Sequence, residues 1–272
     1  MAVFAHPDDE SLACGGLMAM CAERGVRVSL LCLTHGEHGE HAEHGPGRER
    51  EGLGELRGQE LREAARVLGI RDVVLLDHED GMLPWIDAAR LEADILDAIR
   101  RFQPDVVLTF DEDGLYWHPD HIAVHERTTA AVARLGLSAP ALRYVSMPKG
   151  AMRALVEAAS SRAMLATSAV RGGGATGPDR ASGRILGVED PDAFGSQAPE
   201  PTLVVEAGRF AGHKLTALRC HRTQVEGGAL EWLDERDAAR LLGTEHYRRA
   251  PVGAPGDSFI EALGTPYTPV GT

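Results

Sequence analysis

Several features that define other classes of protein are missing from this sequence. No apolar run approaches the ~18 residues that a membrane-spanning helix needs, and the N-terminus lacks the basic and then apolar regions of a signal peptide. The 28 Lys and Arg residues form no cluster long enough to bind a phosphate backbone, and the net charge is −13. We therefore expect a cytoplasmic protein with no nucleic acid and no membrane as a partner.

Cysteine is scarce, and its few positions follow no disulfide pattern. The four cysteines (Cys14, Cys21, Cys32 and Cys220) lie in apolar segments without the spacing of a disulfide framework. Disulfides form and persist mainly in oxidising compartments. We therefore expect small, buried, reduced thiols, which agrees with a cytoplasmic location.

The sequence also lacks the Gly-x-Gly-x-x-Gly motif of dinucleotide-binding proteins at its first strand-to-helix turn. Three carboxylates (Asp8, Asp9 and Glu10) stand there instead. Negative side chains repel a pyrophosphate group, so the sequence disfavours a dinucleotide-dependent enzyme.

The chain does contain a regular alternation of apolar strands and helices. With 272 residues, of which 43% are hydrophobic, it can build one large domain spanning 1–272. This alternation predicts an α/β fold, a Rossmann-like three-layer sandwich with a mostly parallel sheet. The predicted strands are 2–4, 26–34, 73–77, 105–110 and 142–147, and the predicted helices are 11–20, 51–68, 87–102 and 120–135.

The alternation weakens after about residue 160. Residues 169–198 are rich in Gly, Ser, Pro and charge, which predicts a long loop insertion, with 184–188 as a short strand within it. The tail 251–272 is rich in Pro and Gly, and we expect it to pack loosely. Between these segments the sequence predicts a strand at 202–206 and C-terminal helices at 209–219 and 231–242.

One imidazole and three carboxylates are packed into five residues near the N-terminus. His6, Asp8, Asp9 and Glu10 follow the apolar residues 2–4 and precede the first predicted helix. In an open α/β sheet this position is the carboxyl edge of a strand, where ligands bind. Neighbouring carboxylates repel each other unless a cation or a proton lies between them. A divalent metal ion is the simplest way to satisfy this cluster.

A second cluster, His118-Pro119-Asp120-His121, follows the fourth predicted strand and opens a helix. Two such edges can face each other across a crevice. His6, one of the two aspartates Asp8 and Asp9, and His121 would then supply two nitrogens and a carboxylate, leaving a position for water as catalytic zinc sites do. The same set suits Fe²⁺, but nothing indicates redox chemistry, so we favour Zn²⁺.

Each cluster alone has a simpler explanation. Pro fixes a turn and Asp caps the following helix, so a lone His-Pro-Asp is more often structural than catalytic. Two clusters at the same kind of strand-to-helix junction favour the metal site.

The two clusters resemble the motifs of the PIG-L/LmbE-type deacetylases, which are zinc-dependent hydrolases that remove the N-acetyl group from N-acetylglucosaminyl compounds. The resemblance extends loosely over residues 1–225, but 169–198 shows no family pattern. Further matches are Arg57-Gly58-Gln59-Glu60, Tyr116, Lys214, Ala217 and His221-Arg222-Thr223-Gln224.

The resemblance implies a role for each matching residue. His6, Asp9 and His121 are the implied metal ligands, and Asp8 is the implied base that takes a proton from the attacking water. The implied acid is His118, as an imidazolium that stabilises the oxyanion and protonates the leaving amine. The supporting roles fall to Asp120, which orients a histidine, to Tyr116, which bonds the oxyanion, and to Arg57, Glu60 and His221, which contact the sugar. Glu37 is a further candidate sugar contact because it directly follows the edge of the second predicted strand.

Some of these residues have simpler alternatives. Arg57 and Glu60 could form a surface ion pair on a helix, and His221 could pack on the core at a helix end. A run of histidines at every third position could bind a second metal ion, but such a run is more often a solvated loop. The run consists of His35, His38, His41 and His44. His125 follows His121 by four residues and is expected behind the site or in solvent.

We therefore expect a zinc-dependent deacetylase whose partner is a small-molecule amino sugar. One rival is a hydrolase of another amide, on a different acylated amino sugar or a thiol precursor. Another is a sugar- or nucleotide-binding relative without turnover. The sequence leaves open whether copies of the chain form a homo-oligomer.

Overall fold

The computed structural model describes residues 1–39, 52–170 and 183–268. Its strands are β1 (Ala2–Phe4), β2 (Ser29–Thr34), β3 (Asp72–His78), β4 (Val106–Phe110), β5 (Ala141–Ser146), β6 (Leu203–Glu206), β7 (Thr244–Gly253) and β8 (Thr265–Pro266). Its α-helices are α1 (Asp9–Glu23), α2 (Leu53–Leu68), α3 (Ala88–Phe102), α4 (Gly114–Trp117), α5 (Pro119–Arg134), α6 (Ala151–Val170), α7 (Ala211–Cys220), α8 (Arg222–Val225) and α9 (Glu235–Leu241).

Within these residues the strands form one sheet in the order β3-β2-β1-β4-β5-β7-β6-β8. The strands from β3 to β5 pair in parallel, and the pairs that involve β6, β7 or β8 are antiparallel. The chain order reverses between β1 and β4, which makes the crevice outside their carboxyl ends the expected ligand site. The predicted Rossmann-like α/β fold with a mostly parallel sheet is confirmed.

Burial explains why the parallel strands stand out in the sequence as continuous apolar runs. Every residue of β1, β2, β4 and β5 is buried, because helices cover both faces of the sheet. Helices α1, α2 and α7 contact one another, and α3 and α5 contact each other. The predicted strands and helices of this half agree with the structure to within about three residues, an error typical of element boundaries.

The structure corrects the prediction for the C-terminal part. Helix α6 continues to Val170 where we expected the pattern to loosen, and the predicted strand at 184–188 is a turn closed by a bridge between Ile185 and Val188. The predicted helix at 231–242 begins at Glu235, because the side chain of Asp234 caps it there.

The tail is also better packed than expected. Strand β7, which the sequence analysis missed, pairs with both β5 and β6. The side chain of Ile260 is buried in the core, and β8 pairs with β6. Residues 171–182 and 269–272 lie outside the described part, so the rest of the predicted loop and tail stays a prediction, as does the assignment of one domain.

The described residues also bear on the other expectations from composition. Cys14, Cys21 and Cys32 are buried free thiols, as predicted, whereas Cys220 is partly exposed. Within 1–39, 52–170 and 183–268, no helix is both long and apolar enough to cross a bilayer.

Candidate metal centre

The two sequence clusters meet at the carboxyl ends of β1 and β4. His6 Nδ1 lies 3.1 Å from His121 Nε2. The carboxylate of Asp9 contacts both rings, with Oδ2 at 3.6 Å from His6 Nδ1 and Oδ1 at 3.3 Å from His121 Nε2. All three side chains are buried. Asp9 and not Asp8 is therefore the carboxylate that faces both imidazoles.

The two imidazole nitrogens and the Asp9 carboxylate lie about as far apart as the ligands of a tetrahedral zinc site, with one oxygen of Asp9 facing each nitrogen. Zinc bonds of about 2.0–2.2 Å imply ligand atoms about 3.3–3.6 Å apart at the corners of a tetrahedron. The observed separations of 3.1, 3.3 and 3.6 Å fall close to that range. Three such ligands would leave the fourth corner for water or substrate.

Hydrogen bonds on the far side of each ring point the free nitrogen lone pairs into the site. His121 Nδ1 donates to the carbonyl of Gly114 at 3.0 Å, which leaves Nε2 as the free nitrogen. His6 Nε2 faces Asp80 Oδ1 at 3.0 Å and Asp120 Oδ2 at 3.2 Å, which leaves Nδ1 free. Carboxylates and carbonyls behind histidine ligands are typical of metal sites. The donor set therefore fits a divalent ion.

Among the described residues, two groupings have ligand atoms that all lie within 4.8 Å of one another, namely His6 with His118 and His121, and His6 with Asp80 and Asp120; Asp9 belongs to neither. The oxygens of Asp120 already accept the main-chain N–H groups of Gly81, at 2.8 Å, and Leu83, at 3.1 Å. Asp80 Oδ2 accepts the main-chain N–H of His38 at 2.9 Å. We therefore place Asp80 and Asp120 behind His6 and not on the ion.

Asp80 is a site residue that sequence reasoning missed. It belongs to no motif that we recognised, and its only signal is that it follows β3 by two residues, at the same sheet edge as the two clusters. Asp120 was expected to orient a histidine, and its carboxylate contacts His6. To His118 it offers its main-chain N–H instead.

Burial and neighbouring charged groups together shift the pKa values of the residues in this site. Burial alone would lower the pKa of His6, but hydrogen bonds with Asp120 and Asp80 raise it to about 10. Burial raises the pKa of Asp9 to about 8 and lowers the pKa of His121. Carboxylates kept from water beside facing imidazoles need a compensating positive charge, which a divalent ion would supply.

Asp8 is held beside the triad by Arg57. Arg57 Nη2 lies 3.0 Å from Asp8 Oδ2, and the same guanidinium donates to the carbonyls of Pro7 and Gly36, both at 2.7 Å. Gly36 has a φ of 64°, and a β-carbon there would collide with the Arg57 side chain. Burial raises the pKa of Asp8, while the positive charge of Arg57 opposes this.

His118 and Tyr116 lie on the other side of the triad. The ring centroid of Tyr116 is 5.7 Å from that of His118 and 5.1 Å from that of His121. The main-chain N–H of Asp120 donates to His118 Nδ1 at 3.2 Å, so the proton of the ring is on Nε2. Burial and the charge of His6 lower the pKa of His118 to about 4. The surroundings of His118 thus disfavour its imidazolium form, and the expected acid role stays a prediction.

The turn that carries Tyr116 depends on a close approach at Gly114. Gly114 has a φ of 55°, and a β-carbon on it would lie 2.9 Å from Cβ of His121. Phe110, the last residue of β4, stacks on the His121 ring at a centroid distance of 4.0 Å. Strand, turn and helix therefore fix the His121 ring from two sides.

Comparison with known proteins agrees with this geometry. The PIG-L family profile, described as GlcNAc-PI de-N-acetylase, matches residues 1–132, which contain both histidine clusters. A 1D-myo-inositol 2-acetamido-2-deoxy-alpha-D-glucopyranoside deacetylase from Acidothermus cellulolyticus is 32% identical over 268 residues, covering 90% of this chain and 86% of that protein. The chain belongs to the PIG-L family.

Solved structures share the fold of this PIG-L protein at low sequence identity. An N,N'-diacetylchitobiose deacetylase from Pyrococcus horikoshii has a TM-score of 0.59 at 21% identity, covering 92% of this chain and 82% of that one. GalB, the 4-carboxy-2-hydroxymuconate hydratase from Pseudomonas putida KT2440, has a TM-score of 0.60 at 17% identity, covering 94% and 98%. A deacetylase and a hydratase share this fold, so the site and not the fold must indicate the reaction.

The residues expected to contact the sugar differ in how they are placed. Arg57 is buried against Asp8, so the alternative of a surface ion pair with Glu60 is wrong. Glu60 is buried, and its oxygens accept the main-chain N–H and the hydroxyl of Thr223 at 3.0 and 2.7 Å. Glu37 Oε1 accepts the main-chain N–H of Asp80 at 2.9 Å.

His221 requires a correction. Its side chain is 0% exposed, and its Nε2 lies 2.9 Å from Glu10 Oε1. A ring with no exposed surface cannot touch a sugar in this conformation. We therefore remove His221 from the substrate contacts, and the alternative of a histidine packed in the core at a helix end describes its position.

Of the remaining histidines that the sequence singled out, His35, His38 and His125 are described, and they lie outside the triad. His35 Nε2 is 3.0 Å from Asp77 Oδ1, and His38 Nδ1 is 2.7 Å from the carbonyl of Asp80. His41 and His44 lie outside the described residues, so a second metal site in this run stays a prediction. His125 Nδ1 donates to the carbonyl of Phe110 at 2.9 Å, which places it behind the site, as expected.

Proposed function

We propose that this PIG-L protein is a metal-dependent hydrolase that removes the N-acetyl group from an N-acetylglucosaminyl-type small molecule. The observation that carries the proposal is the buried triad of His6, Asp9 and His121, with Asp8 held next to it by Arg57. The relative from Acidothermus cellulolyticus is named as a deacetylase of such a sugar. We propose that the reaction takes place in the cytoplasm, since all four cysteines are free thiols and three of them are buried.

We propose Zn²⁺ as the resident ion, because two imidazoles and one carboxylate are a typical catalytic zinc set, although Fe²⁺ suits the same ligands. When bound, the ion would lower the pKa of a water molecule toward about 7 and polarise the acetamide carbonyl. His6, Asp9 and His121 would hold it, with Asp80 and Asp120 supporting His6.

Asp8 is the proposed base. It takes one proton from the attacking water as the water oxygen bonds to the acetyl carbon. Two features of the structure suit this role. Burial raises the pKa of Asp8, which makes it a better base. Its contact with Arg57 keeps the carboxylate turned from the ligand position that Asp9 takes.

His118 and Tyr116 are the proposed donors to the substrate. The proton on His118 Nε2 can hydrogen-bond to the developing oxyanion. Negative charge growing on the substrate raises the pKa of His118, so the ring can take up the proton that Asp8 took from water and give it to the nitrogen as the C–N bond breaks. The water thus supplies its hydroxyl to the acetyl carbon and its proton, by way of Asp8 and His118, to the amine, and acetic acid leaves and ionises to acetate. Burial raises the pKa of Tyr116, so its hydroxyl stays a donor at neutral pH.

Of the four predicted sugar contacts, we retain Glu37 as the leading one. Its side chain is partly exposed and lines an open cavity together with His35, Gly58 and Asp77, so a sugar hydroxyl can reach it. In this proposal Arg57 acts on Asp8, and Glu60 holds Thr223 in α8.

The test is an amine-release assay on metal-assayed protein. We expect free amine from N-acetylglucosaminyl inositol, malate or lipid-linked substrates, loss of activity when a chelator removes the ion, and recovery on adding Zn²⁺. Activity only on another acylated amino sugar or a thiol precursor would favour the rival amidohydrolase. Binding without amine release by protein that carries a full equivalent of metal would identify a non-catalytic relative.

A further inference from the structure

We infer that Glu10 and His221 are positioning residues for Asp8, which set its main-chain conformation and so keep the base aimed at the reacting water. This inference rests on the proposed function, because it assumes that Asp8 is the base. Neither residue has been placed on the ion or on the substrate above.

The side chains of Glu10 and His221 are both buried. Glu10 is 1% exposed and His221 is 0% exposed. His221 Nε2 lies 2.9 Å from Glu10 Oε1, and the hydroxyl of Ser11 donates to the same oxygen at 2.5 Å. A carboxylate that is taken from water at this cost is expected to serve a specific contact.

That contact is the main-chain N–H of Asp8. Glu10 Oε2 accepts it at 3.1 Å. Asp8 has a φ of 121° and a ψ of −25°, a backbone conformation that residues with a side chain rarely adopt. Strained backbone of this kind persists only where its surroundings impose it, and it is found preferentially at active sites.

Asp8 is therefore fixed from two sides. Arg57 holds its carboxylate, and Glu10 holds its peptide group. Without the acceptor on Glu10, the Asp8 peptide could relax toward an ordinary φ, which would turn the carboxylate away from its present direction. His221, 211 residues later in the chain, holds Glu10 in the one orientation that reaches this N–H.

The first test compares Glu10→Ala in two backgrounds. In the wild-type background we expect kcat to fall on the order of 10²-fold, as misplacement of a catalytic group by about 1 Å can cause, with metal content and KM nearly unchanged. In an Asp8→Asn background, where the base is already lost, the same substitution should cost little. An equal loss in both backgrounds, or loss of the metal, would overturn the inference.

Conservative variants keep the inference testable if Glu10→Ala does not fold. Glu10→Gln retains an acceptor oxygen for the Asp8 N–H, and His221→Gln retains a donor for Glu10. We expect both to keep most of the activity that His221→Leu loses. Activity of His221→Leu at the wild-type rate would contradict the role of His221.

Glu245→Gln is the matched control. Glu245 is also a buried carboxylate, and it accepts main-chain N–H groups of α1, those of Gly16 and Leu17, both at 2.8 Å. The Glu245→Gln substitution should lower the melting temperature without a selective loss of kcat. If Glu245→Gln lowered kcat as much as Glu10→Ala does, any weakening of the contacts of α1 would lower kcat, and the specific role of Glu10 would be contradicted. Native-rate activity of Asp8→Asn alone would instead overturn the assigned base, and this inference with it.

Discussion

The parallel and antiparallel halves of the sheet differ in whether they carry residues of the site. The parallel half, from β3 to β5, presents the site residues where its strands end: His6 after β1, Asp80 after β3, and His121 in the turn and helix that follow β4. None of the site residues named above lies on the antiparallel strands β6, β7 or β8. Parallel strands end at one edge and so bring distant segments together there, whereas antiparallel strands end at alternate edges.

The antiparallel half supports the site indirectly. Glu245 on β7 caps Gly16 and Leu17 after α1 departs from helical geometry at Cys14, whose φ is −147°. The same carboxylate accepts from Lys214 Nζ at 2.6 Å. Helix α1, which begins with the proposed ligand Asp9, is therefore fixed at its middle by the other half of the sheet. This comparison predicts that substitutions in the parallel half change catalysis or metal binding, and that those in the antiparallel half change stability.

The largest expected effect separates the two adjacent aspartates. Asp8→Asn should lower kcat by about 10²–10⁴-fold, as loss of a general base does, while the protein keeps its metal. Asp9→Ala should lose both activity and metal, because Asp9 contacts both ligand histidines. Metal analysis of dialysed protein together with amine-release kinetics measures both quantities.

His121→Ala is the matched comparison for Asp9→Ala, and it should also lose metal. The assignment of the two aspartates would be reversed if Asp8→Asn lost the metal and Asp9→Ala retained it.

A smaller loss is expected for Tyr116→Phe. Removing one donor to a developing oxyanion typically costs about 10²–10³-fold in kcat, and Tyr116 packs edge-on against His121 and His118. KM and metal content should change little. Tyr144→Phe is a suitable control, since the Tyr144 hydroxyl bonds to Thr129 at 2.9 Å and does not face the triad. Equal kcat values for the two variants would exclude Tyr116 from oxyanion stabilisation.

Asp80→Asn should weaken metal binding without abolishing it. Loss of a carboxylate behind a ligand histidine typically costs about 10–100-fold in metal affinity, and Asp80 Oδ1 lies 3.0 Å from His6 Nε2. Competition with a chromophoric chelator gives the affinity. Asp77→Asn is the control, because Asp77 contacts His35 and not His6. Unchanged affinity for Asp80→Asn would leave Asp120 as the one carboxylate that supports His6.

The two halves of the sheet also differ in how well the sequence predicts their strands and the position of the site. The parallel strands were predictable because each is buried on both faces and reads as one apolar run. The meeting of His6 with His121 followed from this, since both histidines come after strands that are neighbours at the point where strand order reverses. The meeting of these two histidines was therefore predictable from local patterns and one topological rule.

What the sequence did not predict depends on distant partners. Strand β7 was missed because its polar residues, such as Arg248 and Arg249, hide the alternation that buries Glu245 and Tyr247. The pairing of Glu10 with His221 joins residues 211 positions apart, and no local pattern encodes it. The lowered pKa of His118 depends on burial and on the charge of His6, which appear only once the chain is folded.

The smallest expected effect is the pH-dependent contribution to stability of Glu261, which lies in the antiparallel half between β7 and β8. Arg143 on β5 donates to Glu261 at 2.6 Å. Burial alone would raise the pKa of Glu261, but the hydrogen bonds from Arg143 and Ser258 lower it from 4.5 to about 2. A carboxyl whose pKa is lower in the folded state contributes stability that is complete above pH 4.5 and is lost as the pH falls toward 2.

Glu261→Gln should therefore lower the free energy of unfolding by about 1.5–3 kcal/mol at neutral pH, the range for hydrogen bonds to charged groups. The difference from the wild type should shrink between pH 4.5 and 2, as measured by denaturant unfolding. Amine release at neutral pH should stay at the wild-type rate, because Glu261 touches no site residue. A loss of kcat without a loss of stability would show that this half also takes part in catalysis, which would remove the distinction between the two halves of the sheet.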